Sequence, residues 1–414
     1  MHSQAHEKPA HLLIETVARR SYGKLLAFVA TRTHDLAAAE DALSDAFTAA
    51  LIDWPRTGCP ANPEGWLLTV ARRKSIDYHR RRDANAESLD ERIEQALSAA
   101  VPESDIPDRR LALMFACAHP AIDESICAPL LLQIILGLDA ATIASAFLVS
   151  PAAMSKRLVR AKEKIRTCRI RFSLPEREEL PERLYAVLDA IYAAFAEGWA
   201  DPAGTDPARR PLTGEAIFLA RVVTELMPQE PEPLGLLALM LYAEARRSAR
   251  RASTGEYVPL PQQNTALWDL TMIAEAEVVL QHASGLGRIG RYQLEAAIQS
   301  AHVDRIRNRR PNWDQIIQLY DALFELTQSP VVALNRALAI SELHGPEAGL
   351  REMPDVSSDA RLAGYQAFWA ARADLLARVG YHGKARHAYD LAIGLERDAS
   401  VRLFLQQRQA ALHS

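Results

Sequence analysis

Apolar residues recur every three to four positions along the chain, and no stretch shows the two-residue alternation of a half-buried strand. The expected fold class is therefore all-α, helices packed on helices. The pattern is sharpest between Leu138 and Arg171, where apolar period, turn chemistry and charge agree on one unit. Asp139 is placed to cap a short helix that carries Ile143, Ala144 and Phe147 on one face. Ser150 and Pro151 open a second helix, because a hydroxyl satisfies orphan amides and proline at the first helical position gives up no bonded N–H. Met154, Leu158, Ala161 and Ile165 form the stripe of that helix, and Lys156, Arg157, Arg160 and Lys164 fall opposite. This is the pattern of a helix-turn-helix, whose second helix enters a major groove with its later cations on phosphates. The turn, Phe147 to Val149, is made without the glycine that reaches left-handed backbone at no cost. Taken alone, the same charges also fit a merely solvated face.

A chain of 414 residues exceeds what one core supports, so several domains are expected. Its net charge is −4, so any contact with nucleic acid must come from local concentration of cations. Such a concentration exists: Lys156, Arg157, Arg160, Lys162, Lys164, Arg166, Arg169 and Arg171 stand against the single acid Glu163. Cys59, Cys117, Cys127 and Cys168 lack any CxxC pairing and read as reduced thiols of a cytoplasmic protein. Cys117 and His119 find no further ligands at metal spacing, so neither metal nor cofactor is expected. The longest apolar run, around Ile126 to Leu138, holds Gln133 and is too short to span a bilayer, which makes it a core helix.

Two helices are expected between His11 and Trp54. In the second, Leu36, Leu43, Phe47 and Leu51 form the inner face, leaving Glu40, Asp41 and Asp45 outside. Asn62 and Pro63 begin a third helix, in which Trp66 and Tyr78 sit among Arg72, Arg73, Lys74, Arg80, Arg81 and Arg82. Aromatics among cations suit opened DNA, where bases stack and phosphates need neutralising. The alternative is a core Trp66 with solvated arginines. From Asp83 to Asp108 the composition turns acidic and reads as a linker.

The order DLAAAEDALSDAF, WLLTVARRKSIDYHRR and then, across the linker, MSKRLVRAKEKIR resembles regions 2 and 4 of a bacterial sigma factor of the extracytoplasmic-function type. The resemblance implies core RNA polymerase and promoter DNA as partners. It places polymerase contacts at Asp35, Glu40, Asp41 and Asp45. Minus-10 contacts fall at Trp66, Arg72, Arg73, Lys74, Asp77, Arg80 and Arg81, and minus-35 contacts at Ser155, Lys156, Arg157, Arg160, Lys162 and Lys164. Ser44 stands where a Gln commonly precedes the Asp, and Leu148 replaces the usual turn glycine. The implied domains are region 2 over 10–82, an acidic linker over 83–107 and region 4 over 108–172.

From about Leu180 onward the chain reads as further helices separated by Pro, Gly and short polar loops. Near the end, Trp369, Ala373, Gly380, Ala385, Tyr389 and Ala392 fall where a tetratricopeptide repeat places its packing residues, with a looser version in the preceding helix pair. Together with phrases such as VVALNRALAI, this resembles the sigma-factor group carrying a C-terminal tetratricopeptide-like extension, here 178–414. Gly285, Gly287 and Gly290 spell GxGxxG, but a dinucleotide site needs a strand before the motif and none is indicated, so it reads as a helix-to-helix loop. With no nucleophile turn or HExxH, no enzyme is expected. The reading is a promoter-specificity subunit regulated in cis by its extension, which offers a surface for a protein or peptide partner. The competing reading is a tetratricopeptide scaffold or duplex-binding regulator that is no polymerase subunit.

Overall fold

The computed structural model describes residues 4–33, 36–82, 108–147, 149–167, 175–199, 212–309, 311–357 and 359–413. The fold is all-α, with no strand among the described residues and one isolated antiparallel bridge, Arg251 to Tyr257. Two units form, 1–194 and 195–414. The expected linker 83–107 lies outside the described residues, as do Asp35, Leu148 and Cys168.

In the first unit, α1 (Gln4–Thr33), α2 (Leu36–Thr57) and α3 (Pro63–Arg82) pack on one another. The first helix begins at Gln4, earlier than the His11 start expected from the apolar period. The second helix turns a different stripe inward from the one expected. Leu43 is buried and Phe47 is half-buried against Tyr22, but Leu51 is 46% exposed, and Ala46, Ala50 and Trp54 face the core. Small residues there let α2 approach its neighbours closely, and Trp54 supplies the bulk that Leu51 was expected to provide.

The chain continues through α4 (Arg109–Cys117) and α5 (Glu124–Leu136) to α6 (Ala140–Ala146) and α7 (Pro151–Thr167). Helix α5 is buried along most of its length and packs against both α1 and α7. Its approach to α1 is close: a Cβ on Gly23 would lie 2.0 Å from the carbonyl oxygen of Ile135, so only glycine fits there. Residues Leu180 to Ala194 of α8 (Leu180–Trp199) belong to this unit, where Arg183 donates from Nη1 to the carbonyl of Phe115 at 3.1 Å. The N-terminal unit thus extends beyond the 178 boundary suggested by the sequence.

The second unit is built around α10 (Pro231–Glu244), apolar on all sides and buried from Leu234 to Tyr242. Packed on it are α9 (Leu212–Leu226), α11 (Leu270–Gly285) and α12 (Arg291–Asn308). Beyond these, α13 (Trp313–Thr327), α14 (Pro330–His344), α15 (Pro346–Glu352), α16 (Gln366–Val379), α17 (His382–Leu395) and α18 (Ala399–Ala410) each pack on the next. Ala373, Ala385, Tyr389 and Ala392 share one core between α16 and α17, with Trp369 packed against it and Gly380 closing α16 in left-handed backbone at φ 93°.

The GxGxxG segment joins α11 to α12, and an acid from within the protein occupies the amides at the start of α12. Glu232 accepts from the N–H groups of Tyr292 at 3.0 Å and Gln293 at 3.2 Å. Burial lifts its carboxyl above the ordinary range in spite of those two donors. A Cβ on Gly290 would stand 2.3 Å from the Glu232 carboxyl carbon, so the glycine is there to admit this carboxylate. A phosphate would have to displace it.

Candidate nucleic-acid interface

Both expected caps of the α6–α7 pair are made. Asp139 Oδ1 accepts from Ala141 N at 2.8 Å and Thr142 N at 2.9 Å, and these bonds hold its carboxyl below the usual range. Ser150 Oγ accepts from Ala153 N at 3.3 Å. The turn closes through the N–H of Val149 on the carbonyl of Ala144 at 3.0 Å, and neither Phe147 nor Val149 uses left-handed backbone. Ile143, Ala144, Met154, Leu158 and Ala161 are buried, and Ile165 is half-buried.

The opposite face of α7 presents Ser155, Lys156, Arg157, Arg160 and Lys164 to solvent. None of these four cations has an ion-pair partner among the described residues. Val159, 64% exposed, lies in the middle of them. A single exposed apolar side chain is ordinary on a surface, and here it stands among cations that have no ion-pair partner among the described residues. The apolar period of α7 does not call for Val159, and it was not singled out in the sequence.

Lys162 departs from this group. It is half-buried, and its Nζ donates to both carboxylate oxygens of Glu40, at 2.9 and 3.2 Å. The pair reaches from α7 to α2 across 122 residues of sequence. It lies near α4 as well, because the buried Cys117 thiol is pushed up first by burial, then by Glu40, with Lys162 opposing. Nearby Tyr22 is pushed up to about 12 by burial, with Glu40 and Asp41 adding to the effect. A residue expected on polymerase and a residue expected on DNA therefore neutralise one another here. Asp41 and Asp45 remain exposed.

On α3, Asn62 caps the start by accepting from Gly65 N at 2.9 Å. Trp66 is half-buried and packs edge-on against buried Trp54, with centroids 5.5 Å apart. Trp66 is thus core in part, and the rest of its ring meets solvent. Arg73 and Lys74 are exposed and Arg72 is half-buried. Asp77, Arg80 and Arg81 lie in α3, but their side chains are outside the described residues. A cleft of about 210 Å³ opens between α1 and α3, lined by Phe28, Val29, Thr33, Gly65, Leu68, Thr69, Arg72 and Ser75. No local pattern marks this cleft, because its walls lie on two helices far apart in the chain.

Residues 17–85 match Sigma-70 region 2, and residues 183–284 match a family of unknown function (DUF6596). An uncharacterized protein of Rhizobium meliloti (strain 1021) is 37% identical over 405 residues, spanning 96% of this chain and 94% of the relative. No solved structure matches the chain. The chain belongs to the sigma-70 family, as a sigma factor of the extracytoplasmic-function type with a C-terminal extension. Members of that family are transcription initiation factors rather than enzymes, and region 2 implies core RNA polymerase and promoter DNA as partners. Among the described residues, no helix is long and apolar enough to cross a membrane.

Proposed function

We propose that this chain directs core polymerase by a two-site grip on promoter DNA, and that its C-terminal unit regulates that grip in cis. The exposed face of α7 carries the reading. Arg157 and Arg160 reach base edges or phosphates of the minus-35 element, Lys156 and Lys164 neutralise the backbone, and Val159 contacts a thymine methyl. In this reading α6 and α7 are a helix-turn-helix. The α3 surface handles the minus-10 element: Arg73 and Lys74 hold phosphates, while the α1–α3 cleft, apolar inside with Arg72 at its edge, receives a base freed from its stack.

The acidic face of α2 docks on polymerase through Asp41 and Asp45, with Asp35 beside them. Glu40 joins once Lys162 lets go. The α7 face and the α2 face therefore become fully available together, when the Lys162–Glu40 pair opens. The tetratricopeptide-like reading of α16 and α17 is supported by the shared core of Ala373, Ala385, Tyr389 and Ala392, and such helices offer a surface for a protein or peptide.

The test is run-off transcription with core polymerase, comparing no addition, the full chain, and a chain shortened after Ala194. A cut at Arg171 would remove Arg183 and Leu184 from the first unit and confuse folding with regulation. The full chain should yield a transcript that core alone does not, and the shortened chain should change its amount. A transcript from no genomic fragment would overturn the promoter reading. Equal output from both chains would overturn regulation in cis.

A further inference from the structure

Two arginines of the C-terminal unit, one buried and one half-buried, have no ion-pair partner among the described residues. Arg246, just beyond α10, is 7% exposed, and its hydrogen bonds go to neutral groups: Nε to the carbonyl of Tyr242 at 3.2 Å and Nη2 to Gln299 Oε1 at 2.7 Å. Arg305 holds its guanidinium 4.3 Å from the centroid of the Trp313 ring, and its Nε is buried without a hydrogen-bond partner. His302, on the same helix, meets the Trp313 ring edge-on at 5.9 Å, and its Nδ1 is also buried and unpartnered. Gln299, His302 and Arg305 follow one another at three-residue spacing and so share a face of α12.

The acids of this neighbourhood are already engaged. Glu342, which bears on Arg305, accepts from Arg378 at 2.7 Å. Asp398 is paired with Arg251. Neither Arg246 nor Arg305 has an ion-pair partner among the described residues. Burial pushes Arg246 down to about 10 and His302 down to about 4, and the charges of Arg305 and Arg246 both add to the effect on His302. The hydrogen bond from Arg246 to Gln299 and the contacts of His302 and Arg305 with the Trp313 ring bring the three side chains together along one face of α12. Burying a guanidinium without a counter-charge is expensive, and here Arg246 bears that cost in full and Arg305 in part, beside a neutral imidazole.

We propose that Arg246, His302 and Arg305 form a binding site for a small oxyanion ligand, a molecule presenting a phosphoryl or carboxylate group, with Trp313 as its wall. A guanidinium offers a planar fork of donors that matches either group, and an anion would meet two such forks and an imidazole N–H. Gln299 adds its amide N–H₂, since its oxygen is held by Arg246. The burial of Arg246 and the partial burial of His302, Arg305 and Trp313 admit a small ligand rather than the extended backbone of a nucleic acid. The site is built from residues of the second unit and the proposed promoter and polymerase residues belong to the first, so its test does not depend on transcription.

The full chain is titrated calorimetrically with inorganic phosphate and, separately, with succinate, in chloride buffer of matched ionic strength. Saturable one-to-one heat with either probe is expected, and the stronger of the two identifies the source of the oxyanion. His302→Gln and Arg305→Gln should each weaken binding by about tenfold or more, the loss of one charge-assisted hydrogen bond, with ligand-free melting kept close to that of the parent chain. In the unaltered chain, the better probe should shield Arg305 from modification by an arginine-specific dicarbonyl, as read by peptide mass. The proposal is overturned by heat that does not saturate with either probe, by equal affinity in parent and variants, or by unshielded Arg305.

Discussion

Arginine and lysine do opposite work in the two units. On α7 the cations Lys156, Arg157, Arg160 and Lys164 point to solvent without ion-pair partners among the described residues, opposite a buried stripe of Met154, Leu158 and Ala161. In the C-terminal unit, cations tie helices together. Arg336 of α14 bridges Asp321 of α13 at 2.5 Å and Glu352 of α15 at 2.8 Å, Arg378 holds Glu342, and Arg408 holds Asp374. Charge on α7 is therefore separable from stability, as the proposed promoter contact requires, while charge between helices of the array belongs to its packing. Lys162 is the instructive exception, a cation of α7 used in the manner of the C-terminal unit.

The strongest way to break this contrast is to reverse charge on α7. Arg157→Glu with Arg160→Glu should lower promoter affinity on the order of 100-fold at moderate salt and reduce the salt slope by about two. Melting should change little, because both side chains are exposed. Lost melting with unchanged binding would show that these arginines are structural. Next in size, Arg336→Ala removes two half-exposed pairs at once and should cost about 1 kcal/mol in denaturant unfolding of the C-terminal unit. Promoter affinity should not move, and a promoter effect would mean that the array's charges serve DNA.

Lys162→Ala sharpens the boundary between the classes. Its partly exposed pair with Glu40 should contribute less than about 1 kcal/mol to stability. If the pair restrains the α2 face, its removal should strengthen polymerase binding several-fold in a competition assay while leaving the salt slope for promoter DNA nearly unchanged. A salt slope lower by about one would instead assign Lys162 to phosphate.

Much of the first unit was legible in advance because it depends on neighbours in sequence. Asp139, Ser150 and Asn62 cap the helices they precede, since a cap acts over two or three residues. The buried stripe of α7 follows from helical period alone. The period failed at Leu51 because a helix packed on two sides can turn small residues inward wherever its neighbours come close, and the register was settled by Trp54. For Trp66 the composition allowed either core or base stacking, and the half-buried ring against Trp54 serves the first without removing the second.

The sequence by itself determined an all-helical chain, the capped starts of α3, α6 and α7, and the cationic face of α7, because period, capping and local charge are short-range properties. Tertiary structure decided what happens between residues far apart. It set Lys162 against Glu40, filled the GxGxxG helix start with Glu232, opened the cleft between α1 and α3, and gathered Arg246 with His302 and Arg305. Each of these depends on which helix faces are brought together, and no local pattern specifies that. It follows from how apolar surface of the whole unit is buried, and the polar groups carried along must then find partners, or ligands, wherever packing leaves them.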